Sequence, residues 1–253
     1  MANLEIDTLG LIRRLTLNRQ GSLNALTTPL RADIAAALDA AAEDHDIRCV
    51  LLTGAGDRAF CAGQDLRESQ ALGAAQGPEW MRSWTTYFDA FARFPKPIIC
   101  AVNGVAAGAG FETTLLADIR LASTSARFLL AEIDIGLPAI FGGYLVNRHL
   151  GRSLTTEIVL TGRTMHADEA MKTGLLSRLV EADELSAAAV EMASELSAKP
   201  PKACELNIAR FRQQTLSDFS DVRARASALQ SEAIASGEPQ SMMSAFFANR
   251  QSR

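Results

Sequence analysis

Hydrophobic and polar positions alternate at Leu11-Ile12-Arg13-Arg14-Leu15-Thr16-Leu17, and that two-residue period predicts a strand covered on one face. Cys49-Val50-Leu51-Leu52-Thr53 and Pro97-Ile98-Ile99-Cys100-Ala101-Val102 are instead short, continuous apolar runs closed by glycines, the pattern of strands buried on both faces. Ala/Leu-rich stretches of helical length, 29–43 and 78–94, lie between them. Strand, helix, strand, helix, strand in that order predicts a largely parallel sheet covered by helices.

Beyond about residue 142 the strand signal fades, and 142–160, 166–173, 184–198, 201–212 and 218–235 carry helical patterns. Lys199-Pro200-Pro201 and Ser236-Gly237-Glu238-Pro239 read as turns between them. The expectation is one functional domain of α/β class: a spiral α/β core over 1–195 and a helical C-terminal region over 196–253 that serves subunit contacts.

Composition changes this picture little. A chain of 253 residues, 48% apolar and 21% charged, can bury a sizeable core without metals or disulfides. The net charge of −4 is more restrictive. It supplies no basic field for nucleic acid and no general attraction for a phosphorylated ligand, so any phosphate must be held locally. Cys49, Cys61, Cys100 and Cys204 lack paired spacing and read as reduced thiols. Residues 1–10 carry Glu5 and Asp7 and do not resemble a secretion signal, and no run of about 18 apolar residues is present to span a membrane. The expected compartment is the cytoplasm.

Candidate chemistry gathers after two of the buried strands. Thr53-Gly54-Ala55-Gly56 leads to Phe60-Cys61-Ala62-Gly63-Gln64-Asp65-Leu66, a glycine-punctuated loop at a strand's C-terminal end, where open α/β sheets place ligands. The alternative is a loop that only turns the chain. Asn103-Gly104-Val105-Ala106-Ala107-Gly108-Ala109-Gly110-Phe111-Glu112 follows the next strand and opens a helical stretch. Its free N–H groups suit an anionic oxygen, and it has neither the Lys-Ser/Thr ending of a P-loop nor a clean dinucleotide spacing. Glu112 lies just inside that helix. Glu132 sits in the apolar run Phe128-Leu129-Leu130-Ala131-Glu132-Ile133-Asp134-Ile135-Gly136-Leu137-Pro138, where burial raises a carboxyl's pKa and suits it to general acid work. Asp134 is its rival, on the same side if the run is a strand. His45, His149 and His166 have no partner spacing, Cys61 has no histidine near it in sequence, and no G-x-S-x-G elbow is present.

These residues resemble the enoyl-CoA hydratase/isomerase, or crotonase, family over nearly the whole chain. The resemblance runs through Leu17-Asn18-Arg19, Leu23-Asn24-Ala25-Leu26, Phe60 to Leu66 and Lys96-Pro97-Ile98-Ile99-Cys100-Ala101-Val102-Asn103-Gly104. It continues through Ala117-Asp118-Ile119-Arg120-Leu121-Ala122, Leu160-Thr161-Gly162-Arg163, Ala167-Asp168-Glu169-Ala170, Gly174-Leu175 and the tail Met243-Ser244-Ala245-Phe246. It implies a repeated β-β-α spiral, assembly as a trimer or hexamer through a helical end that also completes the ligand site, and an acyl-CoA thioester substrate. It implies no metal and no separate cofactor, since coenzyme A belongs to the substrate.

Carried over by motif, the backbone N–H groups of Ala62 and Ala109 form the oxyanion hole, and Glu112 and Glu132 are the catalytic pair, base and acid for adding water to a 2-enoyl thioester. Ala25, Ala62, Gly63, Gln64, Asp65, Leu66 and Gly108 contact the substrate, with Arg19 and Arg67 as candidates for the coenzyme A phosphates. Trp84, Ile140 and Phe141 line the acyl pocket. Ile140 and Phe141 depart from the family's glycine-rich segment after the second glutamate and put the accepted acyl group in question. Rival readings are a double-bond isomerase that uses one glutamate, a lyase or hydrolase of the same fold, and a non-catalytic acyl-CoA-binding scaffold.

Overall fold

The computed structural model describes residues 2–71 and 77–243, so the Ser244-Ala245-Phe246 part of the tail motif lies outside the described residues. Strands β1 (Leu4–Leu9) and β2 (Ile12–Leu17) form an antiparallel hairpin. Three pairs follow: β3 (Cys49–Gly54) with β4 (Ala59–Cys61), β5 (Ile98–Val102) with β6 (Val105–Ala107), and β7 (Ile119–Ser123) with β8 (Arg127–Leu129). The last two strands are β9 (Met165–His166) and β10 (Arg178–Val180).

The first member of each pair joins a six-stranded sheet ordered β1-β2-β3-β5-β7-β10, and the second joins a smaller sheet ordered β4-β6-β8-β9. Each turn of the chain thus contributes one strand to each sheet and then crosses by helix. This is the expected spiral, parallel except for β1 against β2 and β9 against β8.

Helix α1 (Thr28–Glu43) connects β2 to β3, α2 (Leu66–Ala71) and α3 (Gly77–Arg93) connect β4 to β5, and α4 (Ala109–Leu116) connects β6 to β7. Then come α5 (Ile140–Leu150), α6 (Arg152–Thr161), α7 (Ala167–Lys172), α8 (Leu185–Ser197) and α9 (Pro201–Ala235). The Thr27 hydroxyl caps α1 by accepting the Leu30 N–H, and Leu30, Ile34, Leu38 and Ala41 form its buried stripe at helical spacing. On β3, Val50 and Leu52 enter the main core while Cys49 and Leu51 face a second cluster against Leu185, Ala189 and Ala193 of α8. That two-sided burial is what the continuous apolar run foretells.

The helical patterns differ from the structure in three places. Gly151, at φ 75°, splits 142–160 into α5 and α6. The segments 201–212 and 218–235 are one helix, because nothing between them is Gly or Pro. Strands β9 and β10 are two and three residues long, too short to show a period, and so the second half is not purely helical. Helix α9 is tied to the core by Arg212, whose Nη2 donates to Asp118 Oδ2 at 2.8 Å and to the Lys96 carbonyl at 3.3 Å. Among the described residues no helix is long and apolar enough to cross a membrane.

Candidate active site

The ends of β3–β4 and β5–β6 lie side by side, and two loops leave them to line a cleft of about 1540 Å³. The first loop is held by the segment before α1. Leu23 and Asn24 are both left-handed, at φ 51° and 57°, a conformation that turns their polar groups back onto the loop. The Asn24 side chain is buried; its Nδ2 donates to the carbonyls of Ala55 (3.0 Å) and Ala59 (2.9 Å), and its Oδ1 accepts the Arg19 N–H (2.9 Å). The Leu23 carbonyl accepts the Ala62 N–H at 2.9 Å, and Leu26 N–H donates to the Gly63 carbonyl at 2.7 Å.

This corrects the expectation for Ala62: its N–H is committed to Leu23 and does not face a ligand. The N–H groups of Gln64 and Ala109 have no protein acceptor among the described residues. They approach each other through Gly63. A Cβ there would stand 2.5 Å from the Ala107 carbonyl oxygen and 3.2 Å from the Ala109 nitrogen, so only glycine lets the two loops touch. Ala25, Ala62, Gln64, Asp65, Leu66, Gly108 and Ala109 all line the cleft, and Gly63 packs buried beneath them.

Asn24→Ala removes three hydrogen bonds and places alanine in a left-handed conformation. The expected loss is roughly 3 kcal/mol of unfolding free energy, read from urea denaturation; an unchanged midpoint would show that the loop does not depend on this clamp.

Glu112 projects from the first turn of α4 and is 8% exposed. Burial and the nearby Glu132 charge hold its pKa well above the ordinary carboxyl range, and a hydrogen bond from the Gly142 N–H opposes them. Gly142 belongs to the first turn of α5, and a Cβ on it would meet Glu112 Oε1 and Leu130 Cδ2, each at 2.8 Å. Glycine at 142 therefore seats the carboxyl on the helix terminus.

Glu132 opens a 3₁₀ turn, Glu132–Ile135. Its Oε1 lies 3.0 Å from where a Cβ on Gly108 would be, its charge acts on the Glu112 carboxyl, and both residues line the same cleft. Burial pushes Glu132 up to about 7, and its Oε2 is buried with no hydrogen-bond partner. The run is a 3₁₀ turn rather than a strand, and Asp134, although it also lines the cleft, is placed differently from Glu132. It is exposed and lies against Gly162.

Trp84, Ile140 and Phe141 line the cleft, joined by Trp80 and Phe88 of α3. Ala224, Ala226 and Gln230 of α9 close it from the side, so the helical end contributes to this cleft within one chain. Arg19 departs from its expected phosphate role. Its Nη1 donates to the Ala25 carbonyl (2.5 Å) and to Asp65 Oδ2 (3.0 Å), bracing the loop. Arg58, Arg67 and Arg82 line the rim, exposed and without an acidic partner among the described residues. Arg58 and Arg82 carry no sequence signal. Among the described residues no group of three or more His, Cys, Asp or Glu could hold a metal ion.

Comparison with known proteins agrees with this architecture. The family model described as "Enoyl-CoA hydratase/isomerase" matches residues 9–253. A short-chain-enoyl-CoA hydratase of Clostridium acetobutylicum is 30% identical over 98% of this chain and 95% of its own length. A 1,2-epoxyphenylacetyl-CoA isomerase of Escherichia coli is 38% identical over 75% of this chain and 74% of its own. The crystal structure of an enoyl-CoA hydratase/isomerase from Pseudoalteromonas atlantica T6c superposes with a TM-score of 0.89, at 29% identity and 98% coverage of each chain. A spiral of paired strands matched this closely by sequence and by structure places the chain in the enoyl-CoA hydratase/isomerase (crotonase) family.

Proposed function

We propose that this protein is an enoyl-CoA hydratase, adding water across the C2–C3 bond of a 2-enoyl-CoA thioester. The observation that carries the reading is a pair of interacting carboxyls, Glu112 and Glu132, lining one cleft with two N–H groups that have no acceptor. The thioester carbonyl oxygen accepts from Gln64 and Ala109, which stabilise the charge that grows on it as C3 is attacked. Glu112 takes a proton from water as the oxygen bonds to C3, and Glu132 delivers a proton to C2. One carboxyl gains the proton that the other loses, so the chemistry requires a pair holding a single proton. Two neighbouring buried carboxyls favour that state, because both cannot readily be charged.

Burial is deeper at Glu112 and on its own would leave the proton there. The Gly142 N–H and the α5 terminus act in the opposite direction without cancelling burial, and they stabilise the charged form that Glu112 takes as the base. An isomerase needs only one carboxyl to carry a proton between carbons, and it gives Glu112 no task. The rim arginines Arg58, Arg67 and Arg82 are suited to the phosphates of coenzyme A, in place of Arg19. Assembly as a trimer or hexamer belongs to the same reading.

The test is loss of the enoyl thioester's ultraviolet absorbance, followed as a function of pH. Both carboxyls bind their protons more tightly than a free glutamate, so the singly protonated pair replaces the doubly protonated one as pH rises through about 7 and gives way to the dianion at higher pH. Activity is expected to rise through about pH 7, peak above it and then fall. A rate declining steadily from pH 5 upward would mean that the carboxyls are ordinary and do not share a proton. Conversion of a 3-enoyl to a 2-enoyl thioester without any hydration would establish the isomerase.

A further inference from the structure

Resting on the acyl-CoA reading, we infer that the acyl group this cleft selects carries an aromatic ring, seated against a continuous wall of aromatic side chains. The wall begins on α3, where Trp80 meets Trp84 edge-on at 6.1 Å and Trp84 stacks on Phe88 at 5.5 Å. Phe88 packs on Phe141 of α5 at 4.5 Å, and Phe141 meets Phe219 of α9 edge-on at 5.1 Å. Trp80, Trp84, Phe88 and Phe141 all line the cleft. Phe141 immediately precedes Gly142, whose N–H holds Glu112, so the wall reaches the carboxyl pair at Phe141.

Three features favour a ring over a long or polar acyl tail. The rings touch from α3 through α5 to α9, so one side of the cleft is bounded by a continuous aromatic surface. The wall is also held rigidly from behind: Arg31, wholly buried, lays its guanidinium 4.0 Å from the centre of the Trp84 ring and anchors itself on the Leu26 carbonyl and the hydroxyls of Thr28 and Ser83. A rigid wall suits a flat ligand that has little conformational freedom to lose. Finally, the indole N–H groups of Trp80 and Trp84 are buried without partners and closed to solvent, so what the wall offers a ligand is chiefly the carbon surface of the half-buried Trp80 and Phe141 rings.

Binding of saturated, unreactive thioesters tests the assignment without any turnover. By calorimetry, 3-phenylpropanoyl-CoA is expected to bind about tenfold more tightly than hexanoyl-CoA, the sum of one or two ring–ring contacts. Phe141→Leu is expected to reduce that preference, read as the ratio of the two affinities, to about threefold or less. Equal or tighter binding of hexanoyl-CoA would overturn the inference, as would a preference that survives in Phe141→Leu and in Phe88→Leu. An intact preference together with failure to hydrate cinnamoyl-CoA would support the ring pocket and reject only the hydratase chemistry.

Discussion

Replacing Glu112 or Glu132 by glutamine is expected to lower the hydration rate about a hundredfold or more while making the folded protein more stable above neutral pH. The rate follows from the mechanism: glutamine neither accepts the proton of water nor delivers one to C2, and positioned proton transfer contributes about 10²–10⁴. The stability follows from the same burial that tunes the pair. Both carboxyls have pKa values above the roughly 4.3 of an unfolded glutamate, so folding is unpenalised while both states are protonated and loses free energy as pH rises towards and through about 7. Glutamine carries no charge to desolvate, and the gain is on the order of 2 kcal/mol at pH 8, read from thermal or urea unfolding. A variant inactive because it is misfolded would show the reverse. Full activity in both variants would remove the carboxyls from the chemistry.

The parts of this molecule that were legible in the sequence are those whose signal is local. β3 and β5 announce themselves because burial on both faces demands an unbroken apolar run, and α1 because a threonine cap and a proline precede a regular stripe. The two glutamates are legible through their motifs, since a side chain that acts must be written in the sequence. A backbone donor leaves no such mark. Which N–H of Phe60-Cys61-Ala62-Gly63-Gln64 is free depends on a carbonyl about forty positions earlier, turned by two left-handed residues to take the Ala62 N–H, so the donor falls at Gln64. Arg19 misleads for a related reason. A cation beside a ligand loop looks like a phosphate ligand until the fold sets Asp65 3.0 Å from it. The sequence names Trp84 and Phe141 as pocket residues, but not that they join Phe219 in one wall, because the three come from three helices.

Ala109→Pro should abolish most of the catalysis with little change in the fold. Ala109 is the first residue of α4, after Gly108 at the cap, and proline is at home in that position because the N–H it lacks has no helical acceptor there. The substitution therefore deletes one of the two free N–H groups and puts the proline Cδ where that hydrogen pointed, with α4 and Glu112 otherwise kept. Loss of a single such donor costs about 10²–10³ in kcat, because the hydrogen bond strengthens as charge moves onto the thioester oxygen. Because the Cδ also crowds the thioester oxygen, KM is expected to rise as well, with the larger share of the loss in kcat, where the donor acts. Unfolding midpoints within about 1 kcal/mol of the parent, together with that kcat loss, would assign the oxygen to Gln64 and Ala109. A folded Ala109→Pro protein with undiminished kcat would place the oxygen elsewhere, and the two carboxyls would then have to act on a thioester lying in another direction across the cleft.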